Sequence, residues 1–445
     1  MSIDADADRL YKKLESCAFN SARGHLTDEL VAQACRLAGH TFRKRCWTPL
    51  LTVLTCAWKQ MSSASLRQAE DWALSLSQDT SHRRRDGSDL CAARQRLPLK
   101  VFEFILRMLG RNAADTLNHR FHGMRVQIVD GTTLRTADTG ENSAAFGHSS
   151  NQSGQSRRPL VRLVLLVCAG CGAVLDAGYG AYAVSEWILF LELLPRIPPG
   201  GLFLADSAYC TFLMFSECRR HGSHVLTRLN AQRRPAPFKQ LGEGDEIHRW
   251  KRPYAQHVSR PELLEASPAT LDVRIITRVL RRRGYCDVLL SVATTLLDPV
   301  EFPADELIEL YLTRWHIELD LRTMKTHYGM ALLSGQTGEV ILKEICSILI
   351  AYNCVVAAQV ESGTAPRTLS HTRARKLLLI CTERMVGASA ERMVRLYKKL
   401  LTAIAAAKLD PTKRLPHPRA IIQRTSTYPV LTMTREEWRR THHVA

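Results

Sequence analysis

Two aspartates and one glutamate are the residues of this 445-residue sequence whose types and positions best suit chemistry. Asp130 ends the short β-branched segment RVQIVD, and Asp206 ends the apolar segment GLFLAD. Both segments are typical of buried strands, and functional sites in α/β sheets are commonly built at the carboxyl ends of strands. Glu318 lies in a predicted helix over residues 303–329. A lone aspartate at a strand end is more often a turn or capping residue, so the helix strengthens the prediction.

One face of that helix carries a polar stripe. At about 100° per residue its four members fall within an arc of about 60°. They are Tyr311, Arg314, Glu318 and Lys325. Apolar residues flank the arc on both sides, which predicts a mainly apolar environment for the stripe. The alternative is an ordinary solvated face on which Arg314 and Glu318 pair at i, i+4 spacing.

Three converging carboxylates would provide the hard oxygen ligands that Mg²⁺ or Mn²⁺ prefers. Two such ions about 4 Å apart activate an attacking water or 3′-hydroxyl and stabilise the leaving oxygen of an in-line phosphodiester displacement. Arginine and lysine on the same helix would hold the phosphate backbone, and the tyrosine would hydrogen-bond it. The pattern therefore indicates metal-dependent chemistry on a nucleic acid.

The motifs around these residues resemble those of bacterial transposases of the insertion-sequence-four family. Residues 311–325 reproduce the spacing of the family's helix signature, Tyr-x2-Arg-x3-Glu-x6-Lys. The stretches VDGTTLRTADTGEN and LFLADSAYC are similar to the family's first and second aspartate regions. Three separate motifs thus occur in the family's order, and the resemblance covers about residues 125–350.

The resemblance implies an α/β fold with an RNase H-like, mixed-sheet catalytic core. It implies that Asp130, Asp206 and Glu318 are the catalytic residues and the ligands of Mg²⁺ or Mn²⁺, with two ions expected. The implied enzyme cuts the terminal inverted repeats of a transposable element and joins them to target DNA, working as a homodimer in the synaptic complex. The DNA-contacting residues expected on the helix are Tyr311, Arg314, Lys325, Arg322 and Trp315.

Two of these expected contacts have a competing interpretation. Trp315 borders the stripe, where it would stack on an extruded base or, as the favoured alternative, pack in the core. Arg322 lies four residues after Glu318, at the spacing of an ordinary helical ion pair.

Composition shifts divide the chain into five regions. Residues 1–120 are predicted to be helical, and residues 121–230 to form the first part of the catalytic core. Residues 231–296 are predicted to be a β-rich insertion, and residues 297–360 the second part of the core. Residues 361–445 are predicted to be helical and basic. The resemblance implies that the N-terminal helices recognise element ends and that the C-terminal helices support pairing of two subunits.

The net charge of +18, from 61 Lys and Arg against 43 Asp and Glu, predicts a polyanionic partner. The charge is uneven. Residues 361–445 hold 17 basic and 6 acidic residues, whereas residues 297–360 hold 4 basic and 9 acidic residues. An acidic segment in an otherwise basic protein favours divalent metal bound beside double-stranded DNA.

Several classes of protein are disfavoured. A composition of 45% hydrophobic and 23% charged residues excludes disorder over the whole length. The N-terminal segment MSIDADADRL has neither secretory nor transit features, and the apolar run over residues 345–360 is short for a bilayer. The expectation is a cytoplasmic, nucleoid-associated protein that does not bind membranes.

Two other functions fit the same residues. A hydrolytic nuclease on the same core would cut DNA without joining strands, and terminal inverted repeats flanking the gene would argue against it. A domesticated DNA-binding protein would have lost metal chemistry, and the three intact carboxylates argue against it.

Overall fold

The computed structural model describes residues 25–42, 47–75, 88–152, 154–230, 237–254, 256, 260–281, 287–385, 388–410 and 433–441. Residues 1–24 and, within the basic C-terminal region, residues 386–387, 411–432 and 442–445 therefore lie outside the described residues.

Among the described residues, a helical region precedes the sheet. Its helices are α1 (Asp28–Leu37), α2 (Pro49–Ser62), α3 (Leu66–Ser75), α4 (Ser88–Arg96) and α5 (Leu99–Leu117). Local capping explains where α2 begins: the Thr48 hydroxyl accepts a hydrogen bond from the Leu51 amide at 3.2 Å, and Pro49 occupies the first helical position. Nearly all of α2 is buried, so it forms the centre of this region.

A ten-stranded mixed sheet forms the centre of the molecule. Its strands are β1 (Arg120–Phe121), β2 (Met124–Arg135), β5 (Leu160–Cys168), β6 (Val174–Ala181), β7 (Gly201–Ala205), β8 (His224–Arg228), β9 (Pro237–Gly242), β10 (Asp245–Lys251), β11 (Thr270–Leu280) and β12 (Val288–Thr294). A separate short ribbon pairs β3 (Ser150–Asn151) with β4 (Gly154–Gln155).

The strand order is β6-β5-β2-β7-β8-β12-β11-β10-β9, and β1 pairs with β2. Strands β2, β7 and β8 run parallel, while β5 runs antiparallel to β2 and β6 antiparallel to β5. Strands β9 to β12 form the predicted meander, which continues the same sheet because β12 pairs antiparallel with β8. Inside the meander, Arg274 and Asp245 form a buried ion pair at 2.6 Å.

Helices cover the sheet and complete the mixed α/β class that the sequence predicted. They are α6 (Gly140–Phe146), α7 (Glu186–Leu193), α8 (Phe212–Arg220), α9 (Glu262–Glu265), α10 (Ala304–Leu312), α11 (Trp315–His327), α12 (Gly338–Glu361), α13 (His371–Met385), α14 (Ala390–Ala405) and α15 (Arg435–Thr441). Helix α12 packs against α2 and α5. Among the described residues it is the one helix long and apolar enough to cross a bilayer, and 94% of its apolar window is buried inside the protein.

The predicted single helix over residues 303–329 is two helices, so that prediction was wrong. Helix α10 ends at Leu312 and α11 begins at Trp315. At the junction, the amides of Thr313 and Arg314 bond the carbonyls three residues earlier, each at 3.0 Å. The Thr313 hydroxyl also bonds the Leu310 carbonyl at 2.7 Å. The backbone stays right-handed there, so the junction is one tightened turn.

Strand β2 is longer than predicted. The sequence suggested a strand that ends at Asp130, but β2 continues to Arg135. The reason is its two neighbours: β7 pairs with β2 only as far as Ile128, whereas β5 pairs with it from Gln127 through Arg135. Asp130 therefore lies where the parallel neighbour stops and the antiparallel neighbour continues.

Candidate active site

The two predicted aspartates lie side by side at one edge of the sheet. Strands β2 and β7 are parallel neighbours, and their register pairs Ile128 with Leu204. Continuing this register by two residues brings Asp206 level with Asp130. Asp206 follows the end of β7 and caps a 3-10 turn, Ser207–Tyr209, by accepting a hydrogen bond from the Ala208 amide at 2.9 Å. The strand pairing thus brings the two residues close together, and the charge of Asp206 acts on Asp130.

The environment of Asp130 disfavours its charged form. The pKa of Asp130 is raised to about 7, chiefly by burial, with smaller contributions from the nearby charges of Asp206 and Glu186. The Gly131 amide, which donates to Asp130 at 2.9 Å, and the Arg314 guanidinium lower the pKa. A buried carboxylate beside other carboxylates is a site where a cation would be strongly favoured.

Arg314 connects the aspartates to Glu318. Its Nη2 donates to Glu318 Oε1 at 2.8 Å, and its Nη1 lies 3.8 Å from Asp130 Oδ2. The Arg314–Glu318 pair has the i, i+4 spacing that the sequence offered as an alternative to a functional stripe. The pair lies against Asp130 and is not an isolated surface pair.

Lys325 also reaches the site. Its Nζ donates to the Thr132 hydroxyl at 2.5 Å, two residues from Asp130. Burial lowers the pKa of Lys325, while the charge of Asp130 raises it. The chain after α11 is fixed to the same strand, because the Leu333 amide donates to the Arg135 carbonyl at 2.8 Å. Helix α11 therefore lies along the part of β2 that follows Asp130.

The remaining predicted DNA contacts differ in exposure. Tyr311 is only 5% exposed, and its ring lies 6.0 Å from the Arg314 guanidinium carbon. Arg322 is exposed. Trp315 is 54% exposed, which contradicts the favoured expectation of a core tryptophan, and Leu312 beside it is 48% exposed. One flank of the stripe therefore faces solvent, so the prediction of a mainly apolar environment was correct for the other flank only.

A buried polar network anchors α11 from behind. Asp320, two residues after Glu318, accepts hydrogen bonds from Arg367 at 2.8 and 2.9 Å and from the Tyr352 hydroxyl at 2.9 Å. Arg367 also donates to the Ala169 carbonyl at 3.1 Å, in the turn between β5 and β6. The network joins the Glu318 helix to α12 and to the central sheet.

Sequence reasoning missed Glu186, whose charge raises the pKa of Asp130, and Tyr209, whose pKa is raised in part by the charges of Asp130 and Asp206. It also missed Arg162, which donates a hydrogen bond to Glu186. Acidic residues are common in the first turn of helices, so the sequence did not distinguish Glu186 from other such residues. Tyr209 lies three residues after Asp206 within the second aspartate motif, and this closeness in the sequence could have identified it as a candidate.

The donor set suits a hard divalent cation, but the carboxylates are not gathered around one point. Among the described residues, no group of three His, Cys, Asp or Glu side chains is placed to hold one ion. Glu318 is bonded to Arg314, which explains why it is not free to join the aspartates.

Comparisons with known proteins agree with the three motifs. The sequence profile of the family described as Transposase DDE domain matches residues 121–354. Transposase InsG for insertion sequence element IS4, from Escherichia coli strain K12, is 26% identical over 359 residues, which are 77% of this chain and 78% of the relative. Putative transposase InsZ, from the same organism, is 30% identical over 125 residues, which are 27% of this chain and 42% of the relative.

A solved structure also aligns with the chain. It is a piggyBac transposase synaptic complex with hairpin DNA, with a TM-score of 0.41 and 8% identity over 97% of this chain and 89% of that chain. The family profile covers more than half of the chain and includes Asp130, Asp206 and Glu318. The chain therefore belongs to the DDE transposases, a family of enzymes that use divalent metal ions.

Proposed function

We propose that the chain is the transposase of a bacterial insertion sequence, and that Asp130, Asp206 and Glu318 are its catalytic residues and metal ligands. The observation that carries the proposal is the placement of Asp130 on β2 and of Asp206 directly after its parallel neighbour β7, with Arg314 linking Asp130 to Glu318. The reaction would cut the terminal inverted repeats of the element and join the freed ends to target DNA.

We also propose that the core is RNase H-like. The strand order β6-β5-β2-β7-β8, with β5 alone antiparallel to its neighbours on either side, supports this assignment. In this arrangement β2 is the central strand of the five and carries the first aspartate, Asp130. The meander β9 to β12 would then be an insertion that extends the sheet between the second aspartate and the glutamate.

Two Mg²⁺ or Mn²⁺ ions are proposed as cofactors. When bound, such ions supply Lewis acidity at the scissile phosphate and lower the pKa of the attacking water or hydroxyl. Asp130 and Asp206 would hold the cation that they share, and Glu318 would join after it separates from Arg314. The charge of the released Arg314 would then be available to a DNA phosphate, in keeping with the contact proposed for this residue.

The other proposed DNA contacts follow from position and exposure. Lys325 would neutralise a phosphate beside Asp130, and exposed Arg322 would contact the backbone further along α11. Trp315 offers an exposed aromatic face on which a base would stack. Because Tyr311 is nearly buried, its DNA contact would be limited to a small part of its side chain, and its ring would support Arg314.

Partners and location complete the proposal. The partners are double-stranded DNA, as terminal inverted repeats and as target, and a second copy of the chain in the synaptic complex. The N-terminal helices would recognise element ends, and the basic C-terminal region would support subunit pairing. We expect the protein to act in the bacterial cytoplasm, associated with the nucleoid.

The test is an excision and strand-transfer assay on DNA that carries the inverted repeats flanking this gene, with Mg²⁺ or Mn²⁺. We expect metal-dependent cutting at the repeat ends and covalent joining to a target plasmid. Asp130→Asn, Asp206→Asn and Glu318→Gln should each abolish cutting while DNA binding in a gel-shift assay is retained. Near-normal cutting by any of the three variants would overturn the triad assignment, and cutting without joining would favour the nuclease.

A further inference from the structure

Helices α13 and α14 form an antiparallel hairpin in the C-terminal region. The Ser370 amide donates to the Ala407 carbonyl at 2.7 Å, so the start of α13 lies beside the end of α14. The inward faces of the two helices are apolar and buried, and they include Leu378, Cys381, Met385, Met393, Leu400 and Ile404. Because these faces pack against each other and against α12, the opposite faces of the hairpin are left to solvent.

The outward side of this hairpin is basic. It carries six exposed cations, Arg373, Lys376 and Arg384 on α13 and Arg392, Arg395 and Lys399 on α14. At about 100° per residue, the three cations of each helix fall within an arc of about 80° or less. Each helix therefore presents one basic stripe to solvent, and we call the two stripes together the basic side of the hairpin.

The cations of the basic side are not neutralised by nearby carboxylates. Among the described residues, none of the six forms an ion pair with a carboxylate, not even Arg395 with Glu391 at i, i+4 spacing. Glu391 and Glu383 are the only acidic residues in the sequences of the two helices. Residues 411–432, the next stretch of sequence, contain neither Asp nor Glu. A cluster of unpaired cations creates a positive potential that a polyanion would relieve.

The basic side begins next to the helix of the proposed DNA contacts. The Tyr328 hydroxyl, at the end of α11, hydrogen-bonds His371 at 2.8 Å, and the Arg375 guanidinium lies 5.7 Å from the centre of the Tyr328 ring. Burial and then the charges of Arg375 and Lys376 lower the pKa of His327 in the last turn of α11. Helix α13 thus continues the line of positive charge beyond the end of α11.

The composition of the hairpin favours contacts to phosphates over contacts to bases. Its two helices contain neither Asn nor Gln, the side chains that pair with the edge of adenine. Contacts to phosphates hold a duplex in place but carry no sequence information. Helix α14 has 16 residues and is about 24 Å long, which matches about seven base pairs of duplex. Such a surface suits DNA of any sequence, which is what a target presents.

We propose that the basic side of the α13–α14 hairpin binds target DNA through its phosphates, independently of sequence. It holds the target duplex where the duplex passes the end of α11. Two copies of this basic side would repel each other, so subunit pairing by the C-terminal region would use its other surfaces. This inference rests on the proposed function, and it assigns target DNA, as distinct from the element ends, to a surface of the chain.

The test compares two variants that each lose three positive charges. The hairpin variant combines Arg392→Gln, Arg395→Gln and Lys399→Gln. The control variant combines changes of exposed cations at the end of the sheet away from the proposed site, Arg120→Gln, Arg219→Gln and Lys251→Gln. Binding to a duplex of arbitrary sequence is measured by fluorescence anisotropy in EDTA between 50 and 300 mM salt.

The slope of log binding constant against log salt should fall by about 3 in the hairpin variant and stay at the wild-type value in the control variant. An equal fall in both variants would show that net charge alone matters, and no fall in the hairpin variant would show an ordinary solvated surface. Either result overturns the inference.

A second variant changes the same surface in the opposite direction. Thermal unfolding in EDTA shows whether the hairpin variant folds. If it does not, Glu383→Gln combined with Glu391→Gln removes only exposed carboxylates beside the basic side. This variant should bind the arbitrary duplex more tightly than wild type, because two repulsive charges are gone. Unchanged affinity would contradict the inference.

Cutting and joining distinguish target DNA from the element ends. The hairpin variant should cut the repeat ends at a near-wild-type rate but join them to a target plasmid less often, and a higher plasmid concentration should restore joining. Equal losses of cutting and joining would mean that the hairpin binds the element's own DNA, against the inference. A changed oligomeric state in analytical ultracentrifugation without DNA, together with a wild-type salt slope, would make the hairpin a subunit-pairing surface and likewise refute it.

Asp130→Asn keeps this inference distinguishable from the proposed function. If Asp130→Asn still cuts DNA, the proposed catalytic centre is wrong, whereas the salt slope is measured without metal and does not depend on that result. If Asp130→Asn loses cutting and the hairpin variant keeps the wild-type slope, only the target-binding surface is wrong.

Discussion

The Nη1 atom of Arg314 lies 3.8 Å from Oδ2 of Asp130. The same guanidinium bonds Glu318, so one positive charge serves two carboxylates of the proposed triad. Since burial disfavours the Asp130 carboxylate, this arginine offsets part of that cost. Arg314 thus supplies, within the protein alone, some of the positive charge that a cation would bring.

Arg314→Gln should move the pH dependence of metal binding. Arg314 lowers the pKa of Asp130, so its removal should raise that pKa above about 7. Cations compete with the proton on Asp130, and the pH at which Mn²⁺ binding reaches half of its maximum should therefore increase. The measurement is Mn²⁺ affinity from pH 5.5 to 9 without DNA. Arg322→Gln, a charge loss on the exposed face of α11, is the control. An identical midpoint in both variants would contradict the role of Arg314.

Asp130→Asn should stabilise the metal-free protein at alkaline pH. The ordinary pKa of 3.8 rises to about 7 in the folded state, so the folded protein binds this proton more tightly than the unfolded chain. The free energy of unfolding therefore falls as pH rises from about 4 to 7, and the full penalty is present above pH 7. We expect the variant to exceed wild type by at most about 4 kcal/mol at pH 8 and by much less at pH 5. Urea unfolding in EDTA measures this difference, and equal stabilities at pH 8 would refute it.

Lys325→Ala should weaken DNA binding through lost charge. Lys325 is held beside Asp130 by Thr132, where a scissile phosphate would lie next to the metal ligands. The slope of log binding constant against log salt should fall by about 1, as expected for one lost phosphate contact. Fluorescence anisotropy with an element-end duplex between 50 and 300 mM salt measures the slope. Glu318→Gln provides the comparison, because it alters a proposed metal ligand and should keep the wild-type slope.

Gly131→Ala should destabilise the protein by forcing Glu186 away from the backbone. The added methyl group would lie about 2 Å from the Glu186 carboxyl carbon. Overpacking of this kind costs roughly 1–3 kcal/mol. The cost should shrink when Gly131→Ala is introduced together with Glu186→Ala, which removes the clashing carboxylate. Urea unfolding of the single and double variants measures it, and the same loss in both backgrounds would show that the clash is not its cause.

Arg367→Met should destabilise the fold by leaving Asp320 without its main partner. The pair is largely buried, and a buried charge that loses its partner typically costs roughly 3 kcal/mol or more. Arg373→Met, an exposed change on α13, should have little effect. The measurement is urea unfolding at pH 7.5. Equal stabilities for the two variants would mean that the Asp320 network does not hold α11 in place.

The amino-acid sequence by itself determined the features that depend on local periodicity. The apolar segments before Asp130 and Asp206 predicted strands, and the spacing of Arg314 and Glu318 predicted one helical face. These features follow from backbone geometry that repeats every two or about 3.6 residues, so a short segment is enough to reveal them. The order of the three motifs likewise predicted the family.

Only the tertiary structure decided what surrounds those residues. The continuation of β2 beyond Asp130 depends on its pairing with β5, and the exposure of Trp315 depends on which helices pack beside α11. The closeness of Glu186 to Gly131 joins residues more than fifty positions apart in the sequence. No local pattern encodes such a contact, because it forms only when α7 packs against the sheet.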